Sequence, residues 1–369
     1  MEYAETDIME SAQLFMQELG RKVRQQRVPI SGTIELTKRC NLRCVHCYLG
    51  PQEEYHRNKD QEIGTQEVKT LIDDVVAAGC LYLLITGGDP ILRKDFPEIY
   101  RYAKEKGLLV TVFTNGTLVT NRIIRLFKEL PPSNVEVSLY GAREETYERI
   151  TDVKGSYNRC IAGIQRLYDN NINFSLKTVL MQQNKAELDE IEGFADKYGV
   201  NFRFDAGIFP TLAGDKTPLQ YRVTPEEAVA ADLSSPARRE QWIELKNRSE
   251  SLVMNDNLYQ CGAGLTNFHV TPYGKLQACI MTERYQFDLA DGDFSTGWEN
   301  EIALIREVKA PASFGCNSCS NRSVCGSCPA FSDLENGEEY IKSEYVCSTG
   351  HLRAQAIELL QLEELAVIQ

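Results

Sequence analysis

Apolar and polar positions follow two alternating rhythms across residues 33–205. Short apolar runs at 33–37, 81–86, 109–114, 135–139, 173–180 and 202–205 read as strands. Helical spacing fills the gaps at 65–78, 94–106, 121–130, 157–170 and 185–198. Six strand–helix units imply an α/β fold with a parallel sheet and helices outside, because parallel strands need crossover connections. The expected closure is a partial (β/α)6 barrel. Thr65 and Thr120 are candidate N-caps for their helices.

The flanks differ. Residues 8–26 place Met9, Ala12, Leu14, Phe15, Met16, Leu19 and Val23 on one helical face, expected to pack on the domain that follows. After Asp205, prolines and glycines mark a linker over 208–257 holding two helices. One starts at Thr224 with Pro225 first and Glu227 completing a capping box; the other starts at Ser235 with Pro236 inside. Residues 258–350 lack long periodic elements and are rich in Gly, Ser, Asn and Cys, as in a small fold held by metal. A closing helix is expected over 351–369. The expected division is therefore 1–30, 31–207, 208–257, 258–350 and 351–369.

At 369 residues the chain has room for a large and a smaller domain. Its 43% apolar and 25% charged content fits a globular protein. A net charge of −13 disfavours nucleic acid and anionic membranes as partners. The longest apolar run, 75–85, is broken by Gly79 and is far short of the roughly 20 residues of a membrane helix. The acidic start, MEYAETDIME, lacks the features of a signal peptide, so a cytoplasmic location is expected. In that reducing setting, 12 bunched cysteines read as metal ligands rather than disulfides.

The candidate chemistry begins where the first strand empties into Cys40, Cys44 and Cys47, a CxxxCxxC loop. Cubane iron–sulfur clusters normally take four cysteine ligands, so a trio leaves one iron open. Half of a zinc site, with His46 turning inward, is the alternative. After the second strand come Thr86, Gly87, Gly88, Asp89 and Pro90; the glycines let backbone approach a ligand and the carboxylate can pair with an ammonium. A plain glycine turn is the bland reading. Both motifs lie at the C-terminal edge of the strands, where βα barrels put their chemistry.

These motifs resemble the radical S-adenosylmethionine superfamily. The resemblance implies a [4Fe–4S] cluster on Cys40, Cys44 and Cys47, with Tyr48 as the nearby aromatic residue. Its open iron would chelate S-adenosylmethionine, whose reductive cleavage gives a 5′-deoxyadenosyl radical that takes hydrogen from substrate. By the same resemblance Thr86, Gly87, Gly88 and Asp89 meet the methionine amino group, Ser138 the ribose, and Asn115 lines the pocket. Arg149 reaches a carboxylate or is a solvated helix arginine.

The later cysteines resemble the SPASM extension of that superfamily, which holds auxiliary [4Fe–4S] clusters. Cys261, Cys279 and Cys328 would hold one, and Cys316, Cys319, Cys325 and Cys347 a second, making three clusters in all. Only Gly326 and Ser327 separate Cys325 from Cys328, one residue fewer than usual, and no cysteine occurs over 251–260. The first auxiliary cluster would then have an open iron or a noncysteine ligand. A structural zinc ribbon is the other reading. Cys80 and Cys160 fall outside both sets, as packing residues.

The resemblance points to a radical oxidoreductase that matures a ribosomally made peptide by thioether, carbon–carbon or related oxidation. A flavodoxin- or ferredoxin-like electron donor and a separate peptide-binding protein are the implied partners. Formylglycine formation fits less well, since Ile280 stands where that subgroup has an acid after Cys279; Asp205 is a replacement base or a strand-end cap. Tetrapyrrole side-chain oxidation and a noncatalytic electron-transfer scaffold are the alternatives.

Overall fold

A computed structural model describes residues 2–249 and 255–368, with side chains over 14–247 and 255–362. The helix α1 (Glu2–Gln25) leads into β1 (Ser31–Thr37), and the short α2 (Gln52–Arg57) follows the cysteine loop. Then α3 (Thr65–Ala77), β2 (Tyr82–Gly87), α4 (Phe96–Glu105), β3 (Leu109–Thr114), α5 (Asn121–Glu129) and β4 (Asn134–Ser138) alternate. After α6 (Glu144–Thr151) and α7 (Ser156–Asp169) come β5 (Phe174–Val179), α8 (Leu188–Tyr198) and β6 (Phe202–Asp205). The first six strands are parallel and lie in sequential order.

Burial explains the alternation. Ile34, Leu36, Leu83, Ile85, Val110, Val112, Val135, Val137 and Leu176 point outward and pack with helix residues such as Ile72, Val75, Phe96, Phe127 and Ile164 in one core. A parallel sheet covered by helices needs these near-continuous apolar faces. The inward residues are different. Thr33, Thr86, Ser138, Lys177 and Arg203 line a cleft instead of closing a core.

The sheet continues into the cysteine-rich half. Strands β7 (Asn267–Val270), β8 (Lys275–Cys279) and β9 (Thr282–Asp288) extend it in the order β6-β5-β4-β3-β2-β1-β7-β8-β9. Pairing of β7 with β1 is parallel, from Ser31↔Asn267 to Ile34↔Val270, and β7 to β9 form an antiparallel meander. Between the two halves lie α9 (Pro225–Asp232) and α10 (Pro236–Ser249), and after them α11 (Phe294–Asn300), α12 (Arg322–Cys325), α13 (Pro329–Asn336) and α14 (Glu344–Ile368).

Local expectations met different outcomes. At α9, Thr224 Oγ1 accepts from Glu227 N and Glu227 Oε2 accepts from Thr224 N, completing the capping box. Thr65 is not a cap: Gly64 takes that position, and the Thr65 hydroxyl donates to Asp95 Oδ2 at 2.7 Å. Thr120 is at the cap position of α5 but its side chain makes no capping bond.

The α1 face does not pack as expected. Leu14, Phe15 and Met16 stand 66%, 65% and 58% exposed, because the outer layer of the half-barrel is already supplied by its crossover helices. Side chains of Met9 and Ala12, like residues 250–254 of the linker and Gln369, lie outside the described residues. Among the described residues no helix is long and apolar enough to cross a membrane.

Candidate active site

The cysteine loop is built by its backbone. Arg43 N and Val45 N donate to Thr151 O and Ile150 O at the end of α6, docking the loop against that helix. Cys47 N bonds Cys44 O, closing a tight turn. From α2, Gln52 Oε1 accepts from Cys40 N at 2.6 Å and His56 Nε2 lies 2.9 Å from Cys40 O. Asn115, after β3, places Nδ2 at 3.6 Å from Cys40 Sγ and 2.9 Å from Asn41 Oδ1. The three thiols are thus held in place before any ligand arrives.

The end of β2 seals onto this loop. Gly88 N donates to Thr37 O at 2.8 Å and Asp89 N to Arg39 O at 3.0 Å. Asp89 itself is fully buried and faces away from the cleft. Its oxygens accept from Ile91 N, the Thr114 hydroxyl and Asn115 N at 3.0, 2.7 and 3.0 Å. Its carboxylate therefore braces the ends of β2 and β3.

Burial pushes the Asp89 carboxyl up to about 6, against the pull of those three donors. Its pKa lies above the unfolded value, so the folded state binds the proton more tightly. Stability falls as pH rises from about 4 to about 6 and is level above that. We expect Asp89→Asn to cost about 2 kcal/mol, since an amide cannot accept from all three donors. Urea midpoints at about pH 4 and about pH 7 check this: the difference between them shrinks in the variant.

One cleft of about 580 Å³ gathers most of the expected residues. Cys40, Cys44, Cys47, Tyr48, Thr86, Gly87, Gly88, Asn115, Ser138 and Asp205 line it, together with Cys261 and Cys279. Arg149 does not: it is exposed on α6, where it bonds Thr146 Oγ1 and Gln183 O. Asp205 accepts from Gly207 N at 2.6 Å, the strand-end cap, while still lining the cleft.

His46 and Tyr48, both named from the sequence, meet partners in and beside the cleft that the sequence did not reveal. His46 packs edge-on to Tyr140 at 4.7 Å, and burial pushes it down to about 4, leaving it neutral with Nδ1 unpartnered. Tyr48 donates to Glu35 Oε1 at 2.9 Å, and His269 Nε2 stands 3.6 Å from Glu35 Oε2, an ion-pair rather than a hydrogen-bond distance. Burial alone would raise Glu35, yet His269, Lys38 and Tyr48 together hold it below the usual carboxylate range. Glu35 and His269 are polar positions on strands β1 and β7, which in sequence look like an exposed face. Their partners meet only through the parallel pairing of those strands.

The later cysteines fall in two neighbourhoods. Burial pushes the Cys279 thiol up to about 11, with Cys328 and Cys261 adding to it. Cys325 is raised by burial, with Cys316 and Cys319 adding. A second cavity is lined by Cys316, Cys319, Cys325, Cys328 and Cys347, with Lys342 Nζ 3.6 Å from Cys347 Sγ. Gly326, at φ +73°, makes the short turn between Cys325 and Cys328 that a side chain would strain. Cys80 and Cys160 are buried in the core.

The donor set suits iron–sulfur clusters. Burial pushes Cys40 up to about 12 and raises Cys44 and Cys47; coordination to a cation reverses this by deprotonating a thiol outright. Among the described residues no group of three Cys, His, Asp or Glu converges on one ion. A cubane needs no such point, since each ligand takes its own iron. The unpartnered Nδ1 of His46 belongs to a ring that lines the cleft beside the trio, where a polar ligand would satisfy it.

A parallel half-barrel with a cysteine loop at its C-terminal edge and further cysteines beyond defines an iron–sulfur enzyme of the α/β class. The Radical SAM superfamily model matches residues 34–195. Mycofactocin maturase MftC of Mycobacterium tuberculosis is 30% identical over 324 residues, covering 82% of this chain and 78% of that protein. AdoMet-dependent heme synthase of Methanosarcina barkeri is 26% identical over 334 residues, covering 85% and 94%. Fe-coproporphyrin III synthase of the same organism is 37% identical over 156 residues, but the match spans only 42% of this chain and 38% of that one. Streptococcus suis SuiB, solved with precursor peptide SuiA, superposes with a TM-score of 0.66 at 16% identity, over 89% of this chain and 78% of that one. The chain belongs to the radical S-adenosylmethionine superfamily and is an enzyme.

Proposed function

We propose that this enzyme removes hydrogen from a peptide and so matures a ribosomally made substrate. The carrying observation is the shared cleft: Cys40, Cys44 and Cys47 on one wall and Cys261 and Cys279 on another, with one interior between them. In this reading Cys40, Cys44 and Cys47 hold the radical-forming [4Fe–4S] cluster. Cys261, Cys279 and Cys328 hold one auxiliary cluster, and Cys316, Cys319, Cys325 and Cys347 another. When bound, the first cluster and S-adenosylmethionine supply the 5′-deoxyadenosyl radical.

The chain does the rest. The β1 and β2 ends present backbone at Gly87 and Gly88, His46 and Tyr140 wall the cleft with rings, and Ser138 and Asn115 offer hydroxyl and amide to the ribose side. Asp89 keeps those ends in register. The Tyr48–Glu35–His269 contacts fix the loop against β7, so the two cysteine walls keep their spacing. A flavodoxin- or ferredoxin-like protein supplies electrons, and a separate peptide-binding protein delivers substrate.

A maturase among the relatives and a SuiB structure with bound precursor peptide support the peptide reading. The haem and porphyrin synthases among the relatives favour a second, tetrapyrrole side-chain oxidation. Coexpression with short peptides encoded beside it, followed by mass spectrometry, separates the two. A peptide mass loss of about 2 Da per new bond, or of a carboxyl group, is expected; conversion of porphyrin precursors with unmodified peptides would reject the peptide reading. Iron analysis of anaerobically reconstituted protein is expected to give about twelve irons per chain. About four irons with bound zinc would remove the auxiliary clusters from the proposal.

A further inference from the structure

The barrel interior carries an ionic row to which the cofactor chemistry assigns no task. Glu136 of β4, Lys177 of β5 and Arg203 of β6 point inward, in a register that sets Lys177 beside both Ser138 and Arg203. Arg203 binds Glu136 through Nε at 2.8 Å and also through Nη2, and Lys177 Nζ lies 2.9 Å from Glu136 Oε1. The Lys177 ammonium also sits 3.2 Å from the centre of the Phe113 ring. Lys177, Arg203 and Phe113 line the cleft, whereas Glu136 lies behind them and does not.

This is a costly place for charge. Barrel interiors are ordinarily filled by branched apolar side chains, and taking ions out of water costs several kcal/mol each before pairing repays it; that cost falls on Glu136 and Lys177, whose side chains are 9% and 20% exposed, while Arg203 stays half exposed at the cleft. Apolar residues of similar volume would hold the strands as well. Two cations also share one carboxylate, so one positive charge is left over. Asp205, the next acid along β6, is exposed and capped on Gly207 N. In a chain of net charge −13 a cationic floor is not a by-product of composition.

The donors are only partly used. Arg203 commits Nε and Nη2 to Glu136 and keeps Nη1, and Lys177 keeps two of its three N–H groups. We propose that Lys177 and Arg203 form a carboxylate-recognition floor that takes the C-terminal or side-chain carboxylate of the substrate peptide and so aims the neighbouring carbon at the cysteine loop. This rests on the peptide reading above. Glu136 acts as the positioning residue that holds both cations forward. The carboxylates of a tetrapyrrole carry the same chemistry, and the test separates the sources.

Iron-loaded protein is mixed with an octapeptide pool made once as free acids and once with every C-terminal and side-chain carboxylate amidated, and retained peptides are counted by mass spectrometry. Coproporphyrin III and its tetramethyl ester form the second arm, read by Soret absorbance. Free acids should be retained about tenfold over amides, the worth of one charge-assisted pair. That preference should vanish in Lys177→Met. The triple variant Glu136→Gln, Lys177→Met, Arg203→Met removes all three charges together, so none is left unpaired, and it tests the floor even where the single variant fails to fold. Equal retention of acids and amides by the wild type in both arms would overturn the floor. So would a preference surviving in a folded, iron-loaded variant. A Lys177-dependent preference for the porphyrin acid alone would keep the floor and reject the peptide reading.

Discussion

Protein carrying Cys44→Ala is expected to form no 5′-deoxyadenosine above background from S-adenosylmethionine under strong anaerobic reduction, while keeping about eight of its twelve irons. Cys44 sits between Cys40 and Cys47 on the cleft wall, and two thiolates cannot hold a cubane that three already hold with one iron open. The later cysteines come from β8, α12, α14 and the loops around them, a stretch of chain separate from the residue 40–47 loop. Cleavage that persists in this variant would take the radical centre away from the trio. Loss of all iron would show that the two regions do not assemble independently.

The second large effect is steric. A Cβ on Gly88 would stand 2.3 Å from Arg39 O and 2.6 Å from Lys38 O, and one on Gly87, at φ +142°, 2.1 Å from Thr37 O. These neighbours are backbone and cannot rotate away. The same carbonyls, Thr37 O and Arg39 O, are the acceptors that seal the β2 end onto the cysteine loop. Gly88→Ala must therefore part the two strand ends, at a cost of about 3 kcal/mol. Its expected signature is a lower urea midpoint together with loss of iron from the radical site. Gly193→Ala in α8 is the control, since nothing lies within 4 Å of its added Cβ; it should be neutral or slightly stabilising. A Gly88→Ala protein as stable and as iron-rich as wild type would mean that the loop seal is dispensable.

The half-barrel was legible because strands buried against helices leave long apolar runs, and the cysteine trio because its spacing is local. What stayed hidden depends on contacts between distant segments. Helix α6 is eight residues long, too short to show a period, yet its Ile150 and Thr151 carbonyls hold the cysteine loop. Lys177 and Arg203 occupy alternate strand positions, the pattern of a solvent-facing edge, and only an unclosed barrel turns that face into a cleft. The apolar stripe of α1 was readable, but sequence could not say that Leu14, Phe15 and Met16 would stand exposed. Asp89 was readable as a carboxylate near the ligand; its three backbone and hydroxyl donors, which turn it into a brace, were not.

Strand β1 is paired on one side by β2 and on the other by β7, so its second edge waits for a segment that begins at Asn267. A ribosome adding about 5–20 residues per second leaves that edge bare for roughly ten to fifty seconds after Ser31 emerges. An unpaired strand is a template for pairing with other chains. The same pairing that brings the two cysteine regions to one cleft therefore exposes the nascent chain to mispairing until the second region is made.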